Sequence, residues 1–79
     1  GNFQEAETAF RAAAKLSPAD GDAYNNLAMA LAGQKRYDEA VDAACKAVRL
    51  GGSNESLYRE TLEEVRALKD RNRSSGPDP

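Results

Sequence analysis

Histidine is absent from the 79 residues, so the side chain most used as a general base and as a zinc ligand is missing. Ser17, Ser53, Ser56, Ser74 and Ser75 therefore have no imidazole to activate them. Cys45 stands alone, which rules out an internal disulfide and a cysteine-based metal site. It reads as a small surface or boundary residue on the solvated side of its helix. Gly51 and Gly52 follow a helical pattern instead of linking a strand to a helix, and so mark a helix end, not a phosphate loop. Glu63 and Glu64 are adjacent, and neighbouring residues on a helix point in different directions. The expectation is a protein with no catalytic site, no cofactor and no metal.

The surface chemistry excludes other classes. A formal net charge of -2 makes no electrostatic case for nucleic acid or for an anionic membrane. No apolar run approaches the roughly 20 residues that a bilayer requires. No signal peptide is visible, and a single cysteine suits a reducing compartment, so the expected location is cytoplasmic. The chain does not begin with Met, which places the expected true N-terminus upstream.

What remains is a helical scaffold. Apolar residues recur every three or four positions in four segments. They are Phe3, Ala6, Phe10, Ala13 and Leu16; then Tyr24, Leu27, Ala28 and Leu31; then Tyr37, Ala40, Val41, Ala44, Ala47 and Val48; then Tyr58, Thr61, Leu62, Val65 and Leu68. Pro18 stops the first helix and Asp20 is a ready N-cap for the second. Residues 33–36 form a tight turn. Gly51-Gly52-Ser53-Asn54 separates the third helix from the fourth. The predicted helices are 2–16, 22–34, 37–50 and 54–71, with 72–79 as a disordered tail. Loops this short make consecutive helices antiparallel neighbours. Tyr24, Leu27, Leu31, Ala40 and Leu50 are the expected core.

A shift of 34 residues superimposes the chain on itself. Phe3 falls on Tyr37, Glu5 on Glu39, Ala6 on Ala40, Ala9 on Ala43, Ala13 on Ala47, Leu16 on Leu50 and Tyr24 on Tyr58. The register holds across a loop, which two unrelated amphipathic helices would not preserve. With this period, Tyr24-x-x-Leu27-Ala28-x-x-Leu31 followed by Tyr37-x-x-Ala40-x-x-x-Ala44-x-x-Ala47 resembles the tetratricopeptide-repeat (TPR) family. The resemblance covers residues 1 to 71. It implies an all-α, right-handed α-α superhelix of antiparallel helix pairs. Residues 1–16 would be the second helix of a repeat, 22–50 a whole repeat, and 54–71 a first or capping helix, which reads as the C-terminal part of a longer protein. Small residues at Ala6, Ala13, Ala28, Ala40 and Ala47 would let the backbones approach closely. Lys35 stands where the family commonly has a turn glycine, Ala44 where it has a bulky aromatic, and Gly52 where it has proline. Strain at Lys35 and looser packing around Ala44 are therefore expected.

By the same resemblance the chain is a non-enzymatic scaffold that binds a peptide or helix of a partner protein on its concave face. An accessory arm of a larger enzyme, of glycosyltransferase or hydroxylase type, and a self-association module are the alternatives. The implied peptide-binding residues are Asp22, Asn25, Asn26 and Met29, with Ala32 beside them, continued by Arg59 and Glu63 together with Ser56 and Glu60. Asn26 matches a family asparagine whose amide bonds a peptide backbone, a task for a group that both donates and accepts. Met29 suits a groove, and equally a gap against the fourth helix. Ser56 and Glu60 occupy positions where chaperone-binding members carry a basic clamp, so no such clamp is complete here. Phe3 and Phe10, on a stripe that a preceding helix would flank, are the expected self-association contacts.

Overall fold

The structure, a computed structural model, describes residues 2–74, with side chains described as far as residue 72. Four helices follow one another: α1 (Asn2–Leu16), α2 (Gly21–Gly33), α3 (Tyr37–Leu50) and α4 (Glu55–Ser74). No strand occurs among the described residues. The third helix packs on both the second and the fourth, α1 packs on α2, and α2 and α4 lie side by side. Residues near the start of α1 meet the end of α2, and Asp38 at the start of α3 pairs with Lys69 late in α4 at 2.8 Å, as antiparallel neighbours require.

Local chemistry sets each boundary. Asp20 caps α2, its Oδ1 accepting from the Asp22 backbone N–H at 3.0 Å. Lys35 adopts φ 64, the left-handed region that costs a side-chain-bearing residue about 1–2 kcal/mol. The turn compensates with bonds from the Gln34, Lys35 and Arg36 backbone N–H groups to carbonyls of the last turn of α2. Gly51, at φ 66, ends α3 while its N–H reaches the Ala47 and Val48 carbonyls.

The core is built from Leu27, Ala28, Leu31, Ala40, Ala43, Ala44 and Val65, with Phe10, Tyr24, Val41 and Leu62 packed against it. Most of these side chains are methyl groups, so the helices sit close and depend on tight packing more than on bulk. Ala44, where the family commonly has a bulky aromatic, is fully buried.

Three expectations are corrected, those for Leu50, Tyr24 and the end of the fourth helix. Leu50 is 36% exposed, because it closes α3 at the glycine turn where the chain leaves the stack. Tyr24 is only half-buried, lining an opening between α1 and α3. Cys45 is half-buried, as a boundary residue would be. The fourth helix runs on to Ser74, past the predicted start of a disordered tail at residue 72. A formed helix adds residues without needing an apolar stripe, and no proline or glycine interrupts it before Gly76. The rest of that predicted tail, 75–79, lies outside the described residues.

An ion-pair cluster locks α1 to the turn between α2 and α3. Glu7, its side chain 13% exposed, accepts from Gln34 Nε2 at 2.9 Å, Arg36 at 2.7 Å and Arg11 Nε at 2.8 Å. Arg36 also grips Glu39 through two nitrogens, at 2.9 and 2.7 Å. The Gln34 and Arg11 hydrogen bonds hold the Glu7 carboxyl down at about 2, and Arg36 holds Glu39 below the usual carboxylate range. A carboxylate depressed on folding adds stability above its unfolded pKa of 4.5, and loses it as the pH falls toward 2. Urea unfolding between pH 5 and 2 should therefore show falling stability that Glu7→Gln makes shallower. Parallel pH profiles for the two proteins would show that the cluster does not carry acid sensitivity.

Candidate functional site

The expected binding surface lies on α2 and α4, the two helices that run side by side. With 3.6 residues per turn, Asp22, Asn26 and Met29 share one face of α2, and Ser56, Glu60 and Glu63 share the corresponding face of α4. All six are exposed. That face is opposite the Tyr24, Leu27 and Leu31 side of α2, so the core does not draw on it.

The expected peptide-binding residues Asp22, Asn25, Asn26, Met29, Arg59 and Glu63 are not equivalent. Asn26 and Glu63 are exposed, and Met29 is 53% exposed. Arg59 is exposed but tied to Glu55 one turn earlier, at 2.7 Å. Asp22 is structural as well as exposed. Tyr58 Oη on α4 donates a short hydrogen bond to its Oδ1, and Asn54 Nδ2 donates to the same oxygen at 3.1 Å. These bonds, the tyrosine's first, hold the Asp22 carboxyl below its ordinary value. The hydrogen bond to Asp22, and then burial, raise the Tyr58 phenol.

Asn25 departs most from expectation, because it is buried and not part of the open face. It lies one turn beyond Gly21 on the α2 face that meets Tyr58 of α4. Its Oδ1 finds no donor among the described residues. The repeat register places Asn25 beside the groove, and the side-by-side packing of α2 and α4 then covers it.

The self-association residues also divide. Phe10 is half-buried and packs against the core. Phe3 is 53% exposed, although one side of its ring lies over Gly33.

Sequence reasoning did not find the Asp22–Tyr58–Asn54 link or the Glu7 cluster. Tyr58 was visible as the repeat of Tyr24, but the two differ in setting: Tyr58 is buried at the hydrogen-bonded start of α4, while Tyr24 borders an opening.

Among the described residues, no group of three or more His, Cys, Asp or Glu side chains could hold a metal ion. No described helix is long and apolar enough to cross a membrane. The exposed face offers an amide, a thioether, a hydroxyl and carboxylates to a partner. The tetratricopeptide repeat family model matches residues 1–55. No curated protein and no solved structure matches the chain.

Proposed function

Because the chain belongs to the tetratricopeptide repeat family, whose repeats generally mediate protein–protein interaction, we propose that it is a non-enzymatic scaffold that receives a peptide or helix of a partner protein across α2 and α4. The observation that carries this reading is the exposure of Asn26, Met29 and Glu63 on corresponding faces of adjacent helices, free of the packing that builds the core. The Asn26 amide is suited to a peptide backbone, since it can donate to a carbonyl and accept from an N–H. Met29 supplies a deformable apolar contact beside it. Glu60 and Glu63 disfavour a partner's terminal carboxylate and favour a neutral or basic segment. The lone, half-buried thiol of Cys45 suits the reducing cytoplasm.

Asn26→Ala should weaken partner binding by about 1–2 kcal/mol, the scale of a lost hydrogen bond with a desolvated partner group. The melting temperature should hardly change, because the side chain is exposed. Titration calorimetry against an isolated partner, with thermal unfolding alongside, tests both. Unchanged affinity would remove Asn26 from the interface and leave this face without its central contact.

A further inference from the structure

We propose that the furrow between α1 and α3 is a second docking site, opposite the Asn26–Met29 face, and that it takes an acidic peptide bearing one bulky apolar side chain.

The furrow exists because α1 and α3 both pack on α2 and not on each other. Two adjoining cavities share Arg11, Tyr24 and Leu27: one of about 650 Å³ lined by α1, the turn after it and α2, and one of about 300 Å³ that reaches across to α3. In the larger, Ala14 and Pro18 add apolar walls and Lys15 stands at the rim. The smaller continues along Leu31 toward Lys46 on α3. At one end Arg11 approaches Glu39 at 3.6 Å and bridges the two helices. Tyr24 and Asn26 are two residues apart on one helix, about 200° round its axis. A ligand in this furrow therefore does not compete for the α2–α4 face.

Charge selects the occupant. The chain is net negative, yet Lys15 and Lys46 border this apolar floor, beside an Arg11 already paired with Glu7 and Glu39. The larger cavity has no carboxylate in its lining. Lys46 holds its ammonium 5.3 Å from the centre of the Tyr24 ring, which puts a positive charge directly beside the apolar surface. Lys15 has no ion-pair partner among the described residues. On the α3 side, Glu39 is already neutralised by Arg36, leaving Asp42 as the opposing charge. An aromatic or branched side chain would rest on Tyr24 and Leu27 while flanking carboxylates meet Lys15 and Lys46.

The test is fluorescence anisotropy of the 79-residue chain with a labelled peptide carrying one Phe flanked by Glu residues. Control peptides replace Phe by Ser, or Glu by Lys. The Phe–Glu peptide should bind, more weakly as salt rises, and both controls should lose affinity. The double variant Lys15→Glu, Lys46→Glu changes exposed side chains only and should keep its helical circular dichroism. It should lose at least about tenfold in affinity, equivalent to 1.4 kcal/mol. Asn26→Ala should leave this binding unchanged, which separates it from partner binding across α2 and α4. No binding at millimolar peptide would overturn the proposal. So would equal affinity for the Ser peptide, equal affinity of the double variant, or a matching loss in Asn26→Ala.

Discussion

Leu31→Ala should be among the most damaging single truncations in this chain, lowering stability by about 2–5 kcal/mol. Among the described residues, Leu31 is the one large side chain that is fully buried, at 1% exposure. Four of its partners in the core cluster are Ala28, Ala40, Ala43 and Ala44. A methyl group cannot swing into a void, so the site collapses poorly and the cavity term is kept. A domain of this size has a net stability of about 4–12 kcal/mol, so the loss is a large fraction of the whole. At about 4–8 °C per kcal/mol, the melting temperature should fall by roughly 8–40 °C. Leu31→Met, which conserves volume, should cost less than about 1.5 kcal/mol. Urea unfolding followed by circular dichroism measures both. A Leu31→Ala cost below 1 kcal/mol would show that the alanine-lined seam is not the packing that holds α2 to α3.

The architecture was legible because it depends on periodic signals. Four apolar stripes at helical spacing, Pro18, Asp20 and the paired glycines place the helices to within a residue at most ends. The 34-residue register then orders them. Lys35 was legible for the same reason: a position that a turn requires to have positive φ keeps that geometry whichever residue fills it. What escaped depends on distance in space. Glu7 draws its ligands from Gln34 and Arg36, which lie 27 and 29 residues away, and many charged pairs in the sequence look equally plausible. Asn25 shows the limit of a helical wheel. The wheel puts it beside Asn26, but only the position of α4 decides that one of the two is covered. Leu50 and the end of α4 were misjudged because hydrophobicity was used to infer burial and helix length. Burial at a helix terminus depends on where the neighbours stop, and a helix carried past them persists on propensity alone.

Gly21 and Gly33 are both helical glycines beneath an aromatic ring, yet alanine should have different consequences at the two sites. A Cβ on Gly21 would stand 2.5 Å from Cε2 of Tyr58, and one on Gly33 would stand 2.6 Å from the ring of Phe3. Both distances are too short, so a ring must move. Phe3 is half in water and makes no polar bond that fixes its ring, so it can swing outward for the loss of a partial contact. The better helix propensity of alanine offsets that loss, by up to about 1 kcal/mol. Gly33→Ala should therefore fall within about 1 kcal/mol of the parent. Tyr58 has no such escape. Its ring is 4% exposed, and its hydroxyl is bound to Asp22 at the start of α2. Retreat breaks that hydrogen bond and pushes α4 away from α2, while staying overpacks the crossing. Gly21→Ala should cost about 1–3 kcal/mol and bring the Asp22 carboxyl back toward its ordinary pKa. Equilibrium unfolding gives the two stability changes, and side-chain NMR titration follows Asp22. Equal costs at the two glycines, or an Asp22 titration unmoved in Gly21→Ala, would show that the Tyr58 ring does not hold α4 against α2.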